Sequence, residues 1–158
     1  MRSYKVLTVC LGNICRSPAA QGILEFVASK HSISLALDSA GTAAYHVGNS
    51  PDSRSITALK QMGIDISQQK ARQVSIADFD SFDWILAMDK ENLSDLKKIQ
   101  PEHSSAKLVM FGEFSEGVAL GEISDPYYGG EEGFVHMREH ITDVADAFVS
   151  HLNPRRER

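Results

Sequence analysis

The sequence predicts an α/β fold: one domain of three layers, with a four-stranded parallel sheet flanked by helices. Three observations carry this. Apolar, β-rich runs alternate with stretches of helical periodicity along the whole chain, the order that builds a parallel sheet covered on both faces. The chain has 158 residues, enough for a single domain with a real core. Its composition, 42% apolar and 23% charged, is that of a soluble globular protein.

The elements follow in order. Tyr4–Cys10 reads as the first strand. Ser17–Lys30 reads as the first helix, with Ala20, Ile23, Leu24 and Val27 on one face, Ser17 as its cap and Pro18 in its first turn. Ser34–Asp38 is the second strand and leads into Ser39-Ala40-Gly41-Thr42. Pro51 opens a second helix that runs to about Gln61, and Gly63 ends it. A short helical turn falls within Ser75–Phe82, and the charge run Asp78–Asp83 reads as a helix terminus and turn. Asp83–Met88 is a third, buried strand. Lys90–Ile99 is a helix stopped by Pro101, and Ala106–Phe111 is the fourth strand. A glycine-rich connection covers Gly112–Gly130, and Glu131–Leu152 closes the fold as a helix. The domain is expected to occupy residues 1–153, with a basic tail over 154–158.

The segment Val9-Cys10-Leu11-Gly12-Asn13-Ile14-Cys15-Arg16-Ser17-Pro18 organises the chain. A strand delivers Cys10 to a short loop that closes at Arg16, where a helix begins. Unpartnered N–H groups at a helix N-terminus make such a loop an anion site. A helix N-terminus and a nearby guanidinium favour the thiolate, which is the nucleophilic form of cysteine. Arg16 offers a planar fork that matches two phosphate oxygens. Gly12 lets the backbone turn and approach an anion closely. The Ser17 hydroxyl is placed to donate to the Cys10 sulfur. The plain alternative, Cys10 as a small buried residue and Arg16 as a solvated one, weakens once strand, glycine, Ser-Pro and helix fall in this order.

This loop resembles the signature loop of the low-molecular-weight protein tyrosine phosphatases, and Asp125-Pro126-Tyr127-Tyr128 is similar to that family's general-acid loop. The resemblance covers nearly the whole chain. It implies hydrolysis of phosphotyrosine, or of small aryl phosphates, through a phosphocysteine. Cys10 is then the nucleophile, and Arg16 and the loop from Leu11 through Gly12, Asn13, Ile14 and Cys15 to Ser17 bind phosphate or sulfate-like anions. Asp125 is then general acid and base. It further implies that Asn13, Ser17 and Ser39 support the loop, and that Tyr45 is an aromatic specificity residue. Tyr127 and Tyr128 resemble a pair that can itself be phosphorylated, with a tyrosine kinase as partner. With Tyr45 they are expected to wall a deep slot that favours an aryl phosphate. No metal and no cofactor is expected. Many relatives carry a glutamate where Gln21 stands and a histidine where Gln69 stands, so a histidine–carboxylate pair behind the loop is not expected here. Cys15 is open between a reversible disulfide with Cys10 and a buried position facing the first helix.

Other readings are weaker. A thiol-based arsenate reductase uses a similar fold and loop, but commonly a further downstream cysteine, and none follows Cys15. A pure phosphate-binding module needs neither Cys10 nor Asp125. No Gly-Lys-Ser/Thr marks a nucleotide loop. The sequence His136-Met137-Arg138-Glu139-His140 matches a zinc-peptidase pattern. The apolar stripe Phe134, Met137, Ile141, Ala145, Phe148, Leu152 puts those histidines on the flank, so a solvated helix face is expected. A net charge of −5 argues against nucleic acid as a partner. No apolar run suits a membrane span, and the N-terminus leaves no room for a signal peptide. The cytoplasm is the expected location, and two cysteines five apart fit its reducing setting.

Overall fold

Parallel pairing places β1 at the inside of the sheet, and that decides where the loop after it lies. In the computed structural model, which describes residues 2–115 and 121–152, the elements are β1 (Arg2–Cys10), α1 (Arg16–Ala28), β2 (Ile33–Gly41), α2 (Ser53–Lys60), α3 (Asp78–Ser81), β3 (Trp84–Ala87), α4 (Lys90–Ile99), β4 (Lys107–Met110) and α5 (Glu131–Leu152). The sheet order is β2-β1-β3-β4, and every pair is parallel. Register sets Cys10 beside Gly41 and Val9 beside Ala87. The carboxyl ends of the three strands β1, β2 and β3 therefore meet at one edge, where sheets of this kind bind ligands.

Both faces of the sheet are covered. On one face, Ile23, Leu24 and Val27 of α1 pack with Phe134, Ile141, Phe148 and Leu152 of α5. On the other, Phe79 and Leu96 cover Leu7, Val9 and Ile85. All six residues of the apolar stripe of α5 are buried, while His136 and Glu139 are exposed and His140 is half-buried. No described helix is long and apolar enough to cross a membrane.

Several expected boundaries move. Helix α1 starts at Arg16, with Cys15 as its cap residue and no side-chain cap. Ser17 is therefore inside the first turn and does not cap, because its hydroxyl is committed to Cys10 and Asn13. The helix ends at Ala28, before Lys30. Pro51 does not open α2: the Asp52 carboxylate caps it, accepting from Arg54 N at 2.9 Å. Strand β2 runs on to Gly41, because β1 continues to pair with it along its whole length. Strand β4 stops at Met110, and Phe111–Phe114 turns into a 3₁₀ helix. Helices α4 and α5 have the expected bounds. Residues 116–120 of the glycine-rich connection and the basic tail over 154–158 lie outside the described residues.

Candidate active site

The loop between β1 and α1 is held by its carbonyls. Cys10 O accepts from Thr42 N at 2.9 Å, Leu11 O from Ala43 N at 3.0 Å, and Ile14 O from Asp52 N at 2.8 Å. Cys15 O accepts from Ser55 Oγ at 3.1 Å. In a planar trans peptide the N–H points opposite to the C=O. The amides of Leu11, Gly12, Cys15 and Arg16 are thereby turned away from the framework and toward the centre of the loop. Four N–H dipoles converging at a helix N-terminus suit an anion.

Asn13 takes the left-handed conformation, with φ of +58°. Three bonds hold it there: its Nδ2 donates to Ser17 Oγ at 2.8 Å and to Ser39 Oγ at 2.9 Å, and its Oδ1 accepts from Arg72 N at 2.9 Å. The tight turn of the loop thus falls on Asn13. Gly12 serves space instead: a Cβ there would lie 2.9 Å from the His46 ring. Gly41 allows the closest approach, since its Cβ would lie 2.7 Å from Leu11 O.

Cys10 is 3% exposed, at the floor of this loop. Its Sγ lies 3.0 Å from Ser17 Oγ and accepts from Ser17 N at 3.5 Å. Asn13 already donates to Ser17 Oγ, so the hydroxyl proton is left for the Cys10 sulfur at 3.0 Å or Ala40 O at 3.4 Å, and the sulfur is the nearer of the two. Thr8 Oγ1 donates to Ser17 O at 2.8 Å and fixes this turn from below.

Arg16 is buried beside the cysteine. Its Nη1 donates to Asp89 Oδ2 at 2.6 Å and to Ile123 O at 3.1 Å, and its Nη2 lies 3.6 Å from Asp125 Oδ2. Burial opposes its charge, but Cys10, Asp89 and Asp125 outweigh burial and hold the guanidinium more firmly protonated than usual. Burial first, then the charges of Asp52, Cys10 and Asp125, push the Cys15 thiol far above the ordinary cysteine range. Neither cysteine is in a disulfide, and both are buried.

A single cavity collects the expected residues: Cys10, Gly12, Ile14, Arg16, Asp125 and the tyrosines Tyr45, Tyr127 and Tyr128 line it, and Leu11 and Cys15 join them. Asn13, Ser17 and Ser39 lie beneath and shape it. At the mouth, His46 stands 6.5 Å from the Tyr45 ring and 6.3 Å from that of Tyr127, and Tyr127 and Tyr128 meet edge to face at 4.9 Å. Tyr128 is 95% exposed and Tyr45 75%, so both form the rim, while Tyr127 is half-buried. Asp125 Oδ1 accepts from Tyr127 N at 3.1 Å, an Asx turn that aims the carboxylate inward. Among the described residues, Gln21 and Gln69 reach backbone carbonyls, Leu37 O at 3.5 Å and Pro18 O at 3.2 Å.

Sequence reasoning missed Asp89, His46, Asp52 and Arg54. Asp89 carried a signal: an aspartate directly after a buried strand and before a helix is a cap at the ligand-binding edge of the sheet. The other three sit in a loop and a short helix whose approach to the site is a tertiary fact.

With this geometry in view, comparison with known proteins is specific. Residues 5–158 match the family model described as low molecular weight phosphotyrosine protein phosphatase. A relative of that name from Schizosaccharomyces pombe is 39% identical over 154 residues, covering 96% of this chain and 98% of its own. A crystal structure of a protein tyrosine phosphatase from Entamoeba histolytica, with Hepes in its active site, superposes with a TM-score of 0.90 at 37% identity, covering 97% and 99% of the two chains. A crystal structure of a Drosophila arginine phosphatase gives a TM-score of 0.89 at 33% identity, with 94% and 98% of the two chains covered. Fold and length coincide across these proteins, and the chain belongs to the low molecular weight phosphotyrosine protein phosphatases, a family of hydrolases.

Proposed function

We propose that the protein hydrolyses aryl phosphate monoesters, phosphotyrosine above all, through a phosphocysteine at Cys10. The observation that carries this reading is the meeting of the Cys10 sulfur, the Arg16 guanidinium and the Asp125 carboxyl in one aromatic-rimmed cavity. The Cys10 thiolate attacks phosphorus, and the bond to the phenol oxygen breaks. The Asp125 carboxyl gives its proton to the departing phenolate. Asp125, now a carboxylate, takes a proton from a water that attacks the phosphocysteine. The sulfur–phosphorus bond breaks, and inorganic phosphate leaves. Loop amides and the Arg16 fork carry the equatorial oxygens through both transition states. Ser17 steadies the sulfur as nucleophile and as leaving group. No step calls on a metal ion.

The slot explains the choice of substrate. Cys10 lies at the floor and the tyrosines at the rim, so a phosphoryl group must stand on a long, flat stem to reach the sulfur. Tyr45, Tyr127 and Tyr128 then lie against the ring. The same reading takes the cytoplasm as the location, a tyrosine kinase as the enzyme that makes the substrate, and neither nucleic acid nor membrane as a partner. It takes residues 1–153 as the whole catalytic domain.

Steady-state hydrolysis of an aryl phosphate in chelator, wild type beside Cys10→Ser, tests it. Turnover that survives chelation and vanishes in the variant is expected. Turnover in Cys10→Ser sinks the reading. Because one structural neighbour is an arginine phosphatase, phosphoarginine belongs in the same assay. The tyrosine walls can lie against the flat ring of phosphotyrosine, so phosphotyrosine is expected to be the better substrate.

A further inference from the structure

Arg54 makes more bonds than a helix-surface arginine needs. Its Nε and Nη2 grip Asp52 Oδ1 and Oδ2 at 3.0 and 2.9 Å. Its remaining donors cross to the acid loop, Nη1 to Gly129 O at 2.9 Å and Nη2 to Tyr127 O at 2.9 Å. The guanidinium carbon lies 4.5 Å from the Phe134 ring centre and 5.8 Å from that of Tyr127. The other end of this chain of contacts is the phosphate loop. Asp52 N donates to Ile14 O at 2.8 Å, and Ser55 Oγ donates to Cys15 O at 3.1 Å. One side chain thus joins the start of α2, which grips the phosphate loop, to the segment that carries Asp125.

We propose that Arg54 is a positioning residue for the proton transfers. It holds residues 127–129, and through them the Asp125 carboxyl, at a fixed height above the sulfur of Cys10. The inference rests on the reading of Asp125 as general acid. Apart from the 3.6 Å contact of its Oδ2 with Arg16 Nη2, Asp125 has little else to fix it: its side chain is 41% exposed. Its Oδ1 depends on Tyr127 N, and the carbonyl of that same Tyr127 is held by Arg54. Without the arginine, a loop reading Pro-Tyr-Tyr-Gly-Gly has many conformations open to it, and a misplacement of about 1 Å can cost on the order of 100-fold in rate. Arginine is required because two carboxylate oxygens and two carbonyls are satisfied at once from one planar fork, which lysine cannot do.

The test is the dependence of kcat/KM on the acidity of the leaving phenol, in wild type, Arg54→Met, Arg54→Lys, Asp125→Asn and the double variant Arg54→Met/Asp125→Asn. Arg138→Met serves as a control, because Arg138 also binds α2, at Ala58 O (2.7 Å) and Gln61 Oε1 (2.6 Å), without touching the acid loop. Arg54→Met should lose about tenfold with phenyl phosphate and about twofold or less with a highly acidic phenol. Arg54→Lys should fall between. Adding Arg54→Met to Asp125→Asn should cost nothing further that depends on the leaving group. Arg138→Met should keep the wild-type slope. Should Arg54→Met not fold, Arg54→Lys against Arg138→Met carries the same comparison. An unchanged slope in the Arg54 variants beside a steep one in Asp125→Asn overturns the inference. A slope in Asp125→Asn identical to wild type removes the general acid itself, and the inference with it, and the two failures are distinguished by which variant is flat.

Discussion

The Arg16 guanidinium and the Asp89 carboxylate lie 2.6 Å apart, across 73 residues of sequence. Asp89 caps α4, accepting from Asn92 N with Oδ1 and from Arg16 with Oδ2. The helix that follows β3 thereby aims the cation of the helix that follows β1. A guanidinium has one plane, and this contact settles which edge of it faces the loop.

Asp89→Asn keeps the shape and the cap but removes the charge that orients Arg16. Competitive inhibition by inorganic phosphate should weaken about tenfold, and stability should fall by about 2 kcal/mol, the scale of one charged hydrogen bond. An unchanged inhibition constant would mean that Arg16 needs no such partner.

Asn13 separates backbone from side chain. Asn13→Ala forces a Cβ-bearing residue without hydrogen bonds into φ +58°, and should cost about 2–3 kcal/mol. Asn13→Gly relieves the backbone but leaves Ser17 and Ser39 without the amide. Thermal melts and kcat measured together should show glycine recovering stability ahead of activity. Equal recovery of both would show that the three side-chain bonds do not matter to the sulfur.

The two thiols should differ in reactivity. Burial raises the Cys15 thiol, so it stays protonated from roughly pH 6 to 9, where an ordinary cysteine begins to ionise. Iodoacetate should label Cys10, be blocked by phosphate, and leave Cys15 intact. Peptide mass spectrometry reads this directly. Labelling of Cys15 at a comparable rate would contradict it.

Asp52 yields a pH prediction. Its hydrogen bonds with Arg54 hold its carboxyl below the usual carboxylate range. A carboxyl lowered on folding adds stability above its unfolded value of about 3.9, and that stability is lost as pH falls through the folded value. Asp52→Asn still caps α2, so the variant isolates the charge. The stability gap between wild type and Asp52→Asn should be constant from about pH 7 to 5 and close below about pH 4. A gap independent of pH would mean that the charge of Asp52 contributes nothing to it.

The sheet and the loop were legible because they rest on local patterns. Alternating strand and helix forces parallel pairing, and Cys10 through Pro18 fall where such a sheet binds ligands. Asp125-Pro126 was legible by resemblance. Ser17 ahead of Pro18 has the local pattern of a cap, but Cys10 and Asn13 claim its hydroxyl. Glycine is the residue expected to make the turn, yet Asn13 makes it, since three side-chain bonds, two of them to residues distant in sequence, outweigh the ordinary preference for glycine. Arg54 left no trace in the sequence. Its four partners come from residues 52, 127 and 129, and only the packing of α2 beside the acid loop brings them together.

The most direct test of the account is acid quenching of Asp125→Ala during turnover of an aryl phosphate, followed by peptide mapping. A phosphoryl group on the peptide that holds Cys10, absent from the same peptide in Cys10→Ser, is the predicted result. Steady turnover with no phosphorylated cysteine, or a phosphoryl group on another residue, would contradict a phosphocysteine at Cys10.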